Sequence, residues 1–227
     1  MHLIMFDLDG TLVDSSNVDS DCYLQALGDI FGFDLDRIDR DWGNYPHVTD
    51  AGILQTLCQK ELDRNPTKSE VSCYQQRFLE LLNTAIIHQP LQEISGAKQL
   101  LHRLDLVPNY AISLATGGWR TTAEFKLQQA GLDRVLFPMA CSDDACARVK
   151  IMECAYQRSI DLYQQSEFES VTYIGDGVWD GVASKQLAYQ FIGIGSGDRA
   201  DDLRSHGAKH VFPHYQDLGA IMASLAE

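Results

Sequence analysis

The chain opens with a short apolar run, His2–Phe6 (HLIMF), that stops at Asp7-Leu8-Asp9-Gly10-Thr11. An apolar run ending in acids and a glycine predicts a buried strand breaking into a loop. From about residue 15 to 89 the pattern shifts to helical spacing. Tyr23, Leu24, Leu27, Ile30 and Phe31 recur every three or four positions, as do Ile53, Leu54, Leu57 and Leu62, and a third helical set runs from 78 to 87. Asn65-Pro66-Thr67 breaks the second helix and caps the third. Acids outnumber bases here and no strand pattern intervenes, so residues 15–89 read as a separate helical unit.

Beyond residue 90, short apolar strands alternate with helices. A helix over 97–104 leads to the strand Tyr110–Ala115, a Thr-Gly-Gly loop and a helix over 121–130 closed by Gly131. A helix over 149–158 precedes a strand over 171–174, a Gly-Asp-Gly turn and a helix over 178–187. The strands Gln190–Ile194 and His210–Phe212 and a helix over 217–225 complete the pattern. Such alternation predicts an α/β fold, a Rossmann-like parallel sheet with helices on both faces, formed by 1–14 and 90–227. Open sheets of this kind bind ligands beyond the carboxyl ends of their strands. Those ends carry Asp7 and Asp9, Thr116, and Asp176 and Asp180. No internal repeat is evident.

Composition narrows the partners. Of 227 residues, 45% are apolar and 22% charged, as in an ordinary globular protein. The net charge of −14 argues against nucleic acid or an anionic membrane as partner and favours a small molecule. If that molecule is anionic, the site must supply a metal and a local cation. No apolar stretch reaches 18 residues, and the opening run is too short for a signal-peptide core, so a cytoplasmic protein is expected. The six cysteines form no CxxC pair or zinc-ligand spacing and read as reduced; pairing of Cys141 with Cys146 is not favoured.

Asp7 and Asp9 are two apart, which in extended backbone turns both carboxylates to one side, and Gly10 permits a sharp turn after them. Paired carboxylates stay ionised beside a cation, and a hard ion such as Mg²⁺ suits their oxygens. Asp176 and Asp180 are four apart around a helix start and share a side; the alternative is a helix cap with a favourable first-turn charge. Thr116-Gly117-Gly118 offers a hydroxyl and backbone N–H groups suited to a phosphate oxygen, or else forms a plain helix-entry turn.

Together these segments resemble the haloacid dehalogenase-like hydrolase superfamily, in its phosphoglycolate-phosphatase-like branch with a helical cap. Phe6-Asp7-Leu8-Asp9-Gly10-Thr11-Leu12-Val13-Asp14 resembles the first motif of that family, Leu114-Ala115-Thr116-Gly117 the second, and Tyr173-Ile174-Gly175-Asp176-Gly177-Val178-Trp179-Asp180 the fourth. The helical block falls where the family inserts a small cap. The resemblance implies that Asp7 attacks phosphorus and that Asp9 serves as acid and then base. It also implies that Mg²⁺ is held by Asp7, the backbone carbonyl of Asp9, Asp176 and Asp180. The third motif departs from the family: Ala147-Arg148-Val149-Lys150 lacks its proline, and either Arg148 or Lys150 is the phosphate-binding cation. An acid at Asp9 implies an oxygen leaving group.

Substrate contact is expected from Gly117, from His47 in the loop between two cap helices, and from Arg120 past the second motif. Thr49 or Asp50 reads as the start of the following helix, and Trp119 as a packing residue. The Gly193-Ile194-Gly195-Ser196-Gly197 loop lacks dinucleotide-binding spacing. His206, His210 and His214 recur every four residues, but Pro213 breaks any helix that would align them. The expected function is Mg²⁺-dependent hydrolysis of a small phosphorylated metabolite by a monomer or homodimer. A phosphomutase of the same superfamily is the alternative, and a non-catalytic binding protein on the scaffold a third.

Overall fold

The apolar opening run becomes the centre of the sheet because both of its faces are covered. The computed structural model describes residues 1–132 and 137–226. Among them, β1 (His2–Phe6) and β2 (Val13–Asp14) precede the helices α1 (Ser16–Phe31), α2 (Asp50–Leu62) and α3 (Lys68–Ala85). Then come β3 (Gln92–Glu93), α4 (Ala97–Asp105), β4 (Tyr110–Ala115), α5 (Arg120–Gln129), β5 (Met139–Ala140) and α6 (Arg148–Tyr163). The chain closes with β6 (Ser170–Gly175), α7 (Val178–Gln186), β7 (Gln190–Ile194), α8 (Asp198–Ser205), β8 (His210–Phe212) and α9 (Leu218–Ser224).

Six parallel strands form one sheet in the order β5-β4-β1-β6-β7-β8. Alternating side chains feed two cores. Ile4, Phe6, Leu114 and Ile174 face one layer of helices, and Leu3, Met5, Ala115 and Tyr173 face the other. The chain leaves β1 toward β4 on one side and returns to β6 on the other, so the switch in strand order lies at the carboxyl end of β1. Register then brings the three loops level: Phe6 pairs with Leu114 and with Ile174, and Asp7 donates its N–H to Ile174 O at 2.9 Å.

The helical block has its own apolar centre. α1 and α3 pack together, with Tyr23 edge-on to Tyr74 (5.4 Å) and Phe78 (5.7 Å). The buried Tyr74 hydroxyl donates to Tyr23 O at 3.0 Å. Thr67 caps α3 as its sequence predicts, through a reciprocal capping box with Glu70. The antiparallel ribbon β2–β3 ties together the points where the chain enters and leaves the block.

Differences from the sequence pattern lie at short or polar elements. The helix read over 78–87 is the rear of α3, whose front half is mostly exposed and carries little apolar signal. The helix read over 149–158 continues to Tyr163 and ends where Gln164 turns left-handed at φ 53°. β5 is two residues long, and α8 buries only Ala200 and Leu203, so neither has enough period to read. All six cysteines are free, Cys141 and Cys146 included. Among the described residues, no helix is long and apolar enough to cross a membrane.

Phe78 is fully buried at the centre of the helical block. Phe78→Ala should cost about 3–5 kcal/mol by leaving a cavity there. Urea denaturation followed by circular dichroism checks this, and a loss below 1 kcal/mol would mean that the block repacks around the gap.

Candidate active site

Three loops meet where the sheet order switches. The first follows β1 and turns at Gly10, whose φ of +73° suits glycine; a Cβ there would run into Asp176 Oδ2. The turn and the close approach of Asp176 therefore need the same residue. In the second loop, Thr116 is buried and its Oγ1 accepts the Gly118 N–H at 3.1 Å. A Cβ on Gly117 would sit 2.6 Å from Arg148 Nη2. In the third loop, Asp180 accepts the Gly177 N–H at 3.0 Å, so it caps α7 and also turns inward. The two sequence readings of Asp180 are compatible.

The loops bring carboxylate oxygens of Asp7, Asp176 and Asp180 within 4.8 Å of one another, all three buried. Arg148, at the first turn of α6, reaches into them. Its Nη1 lies 3.1 Å from Asp7 Oδ1, 3.2 Å from Asp180 Oδ1 and 3.3 Å from the Tyr173 hydroxyl, and its Nη2 donates to Val48 O at 3.0 Å. Tyr173 in turn donates to Ala115 O at 2.7 Å, which fixes the surface against which Arg148 lies.

Burial pushes the Asp7 carboxyl up; Arg148 opposes this, while Asp180, Asp176 and Asp9 add to it. Asp180 is pushed up by burial and held back by Arg148. Burial, with repulsion from Asp180, lifts Asp176 from its ordinary 3.8 to about 7 despite Arg199. Two arginines, Arg148 and Arg199, leave this cluster of three carboxylates one positive charge short. Three hard oxygen donors short of positive charge, one each from Asp7, Asp176 and Asp180, fit Mg²⁺.

A cavity of about 180 Å³ opens onto these groups, lined on the sheet side by Asp7, Asp9, Thr116, Gly117, Arg148 and Asp176. The helical block forms the opposite wall and is docked by hydrogen bonds from the start of α2. Asp50 N–H donates to Gly117 O (2.8 Å), Ala51 N–H to Ser142 Oγ (2.8 Å) and Thr49 Oγ1 to Cys146 O (2.6 Å). Thr49 is the N-cap of α2, and Asp50 Oδ2 accepts the Trp119 N–H at 3.0 Å.

The structure separates the two cations of the third motif. Arg148 is buried in the site, whereas Lys150 is exposed on α6 and pairs with Glu153 at 2.7 Å. His47 does not reach the cavity; it is exposed on an outer polar groove with Gln55, Gln59 and Lys60. Nor does Arg120, which points outward to Asp144 (3.4 Å) and Glu124 (3.9 Å). Trp119 is buried and packs in the core, as expected. His206, His210 and His214 fall on a helix end, a strand and a loop, and among the described residues they form no metal-binding group.

Three charged residues escaped the sequence reading. Lys126 of α5 is fully buried, with Nζ at 2.6 and 2.8 Å from the two oxygens of Asp9 and 2.7 Å from Asp19 Oδ1 on α1. Burial lowers its proton affinity, but Asp19 and Asp9 outweigh that and raise it. Burial pushes Asp19 to about 6, against the pull of Lys126. Arg199, from the first turn of α8, places Nη1 2.6 Å from Asp176 Oδ2. A signal existed for Lys126, which lies on the inward stripe with Thr122, Ala123 and Leu127. Arg199 offered none, because α8 has almost no apolar pattern.

Paired acids, an arginine and a hydroxyl thus lie together at the switch point of a parallel sheet, under a helical block. Residues 1–187 match the family model of the haloacid dehalogenase-like hydrolases, and the chain belongs to that family. Its fold is similar to that of a hydrolase from Pseudomonas syringae at 23% identity, with 100% of both chains covered and a TM-score of 0.74. It is also similar to a candidate β-phosphoglucomutase from Bacteroides vulgatus (16% identity, 100% of this chain and 89% of the other, TM-score 0.68). A third similar structure is a HAD family hydrolase from Deinococcus radiodurans, solved with bound phosphate and sodium (20% identity, 99% and 96% covered, TM-score 0.54). No match is found among curated proteins.

Two outcomes follow from the charges. Lys126→Met should cost about 3–5 kcal/mol, because it leaves Asp9 and Asp19 facing each other without a counter-ion; chemical denaturation reads this, and an unchanged midpoint would contradict the pairing. Between pH 3.8 and about 7 the folded Asp176 binds more protons than the unfolded one. Metal-free stability should therefore fall as pH rises through that window, and Mg²⁺ should reverse the fall while releasing protons. Melting curves with and without Mg²⁺ at several pH values test the sign.

Proposed function

We propose that the chain is a Mg²⁺-dependent phosphatase that cleaves a small phosphate monoester through an aspartyl-phosphate on Asp7. The observation that carries this reading is Asp7 itself, buried at the switch point, 3.1 Å from Arg148 and grouped with Asp176 and Asp180. In the first step an Asp7 oxygen attacks phosphorus in line with the ester oxygen, and that bond breaks as the alkoxide takes a proton from Asp9. In the second step Asp9 takes a proton from water; the water oxygen attacks phosphorus, releasing phosphate and restoring Asp7. Lys126 and Ser15, the latter 2.5 Å from Asp9 Oδ1, set the direction of that carboxyl. Arg148, the Thr116 hydroxyl and the Gly117 N–H hold the phosphoryl oxygens. Mg²⁺, held by Asp7, Asp176, the Asp9 carbonyl and the nearby Asp180, supplies neutralisation of the phosphoryl charge.

Residues 15–89 serve in this reading as the cap. Release of the α2 contacts to Gly117, Ser142 and Cys146 admits substrate, and their return excludes bulk water. The net charge of −14 supports a small metabolite rather than a nucleic acid as partner. A phosphomutase is the second reading, favoured by how closely the first turn of α2 is bound over the site. Slow single-turnover phosphate release that speeds up only with a sugar acceptor would select it.

Asp7→Asn should lower Mg²⁺-dependent phosphate release from an aryl phosphate to background, since an amide does not serve as the nucleophile. Turnover retained at more than a few per cent of wild type would remove Asp7 from that role.

A further inference from the structure

The cavity wall opposite the phosphoryl site carries a charge imbalance that the hydrolytic chemistry does not use. Every cation at the cavity is already matched to acids: Arg148 to Asp7 and Asp180, Arg199 to Asp176, and Lys126 to Asp9 and Asp19. Asp50 has no ion pair of its own: Lys126 attracts it only from beyond contact, and burial, with repulsion from Asp19, pushes its carboxyl up. It is 9% exposed, and its Oδ2 accepts only the Trp119 N–H; no hydrogen bond from a described residue reaches its Oδ1. The cap residues on this wall include Asp19 and Asp50, with no Lys, Arg or His among the described ones. A leaving group with a carboxylate or second phosphate would meet acids there and find no free cation.

The rest of the wall is aromatic. Trp42 is held by its Nε1–H to Ser20 Oγ (3.3 Å) and lies against Tyr23 with ring centroids 5.9 Å apart. Trp179 folds back over Gly177 beside Asp176, where a Cβ on Gly177 would collide with its indole. Aromatic faces with a nearby unmatched carboxylate attract an ammonium group. The cavity, about 180 Å³, is smaller than the ~300 Å³ at which drug-sized pockets begin, so the leaving group is a short alcohol.

Resting on the phosphatase reading above, we propose that the substrate is the phosphate monoester of a short alcohol bearing a cationic amine, with Asp50, Trp42 and Tyr23 facing the ammonium. Esters with a carboxylate in its place are rejected. The chemistry of the two steps is unchanged, and the amine neither gains nor loses a bond.

The test compares three phosphate monoesters of similar length whose leaving groups end in an ammonium (primary or trimethylated), a hydroxyl or a carboxylate. Calorimetric binding to Asp7→Asn protein with Mg²⁺ is measured beside kcat/KM for the wild type. The ammonium esters are expected to bind at least tenfold tighter than the carboxylate ester, with the hydroxyl ester between. Asp50→Asn, whose amide oxygen still accepts the Trp119 N–H, should narrow the ammonium-to-hydroxyl ratio at least threefold. Trp42→Ala should narrow it for the trimethylated ester. A carboxylate ester bound as tightly as the ammonium ester would overturn the proposal. Loss of that binding in Arg199→Gln would assign Arg199 as the group that captures it. Wild-type turnover without the ammonium preference sinks this inference and leaves the phosphatase reading standing. The preference in binding without turnover of any ester does the reverse.

Discussion

Burying three carboxylates beside one another is costly, and Arg148, which spans two of them while Arg199 meets the third, makes it tolerable. Its Nη1 lies within 3.2 Å of both Asp7 and Asp180, and its Nη2 reaches across to Val48 O in the helical block. Removing either kind of partner would leave uncompensated charge in a dry place. Other features follow from accommodating that guanidinium: a bare Gly117 to clear it, Tyr173 against its edge, and an α6 that begins at Arg148. The negative charge that Arg148 and Arg199 together leave unneutralised is the basis for the affinity for a divalent ion proposed above.

A second ion cluster does a different job. Lys126 joins Asp9 of the β1 loop to Asp19 of α1, and so ties the sheet, α5 and the helical block through one fully buried ammonium group. Charge pairs of this kind contribute less to stability than apolar packing would, but they are particular about geometry. Here they fix where α1 sits relative to the loop carrying Asp7. The two buried cations thus divide the work, Arg148 organising the carboxylate cluster and Lys126 the side facing the helical block.

Much of this was legible in the sequence because the strands are short, apolar and abruptly ended. β4, β7 and β8 have the limits read from the pattern alone, and the loops after β1, β4 and β6 carry the acids and the hydroxyl. Pattern reading was least decisive where rotation around a helix sets the outcome. Arg148 and Lys150 are two apart, about 200° around α6, so one faces the site and the other solvent. Arg120 follows a site loop directly, yet the first turn of α5 sends Thr122 and Ala123 inward and Arg120 out. His47 lies in the right loop, but Thr49 and Asp50 take the positions that touch the sheet domain. Arg199 comes from far along the chain and is placed only by the tertiary fold.

The peptide unit between Gly117 and Gly118 is bonded at both ends. Its carbonyl accepts the N–H of Asp50, and its N–H is accepted by the hydroxyl of Thr116. Because the unit is a rigid plate, its tilt is shared: swinging the first turn of α2 away must rotate the plate or break one of the two bonds. Thr116 Oγ1 already accepts a hydrogen bond from this plate, so its own O–H is left to point elsewhere. The seating of α2 and the placement of the Thr116 hydroxyl are therefore coupled through the two ends of one amide.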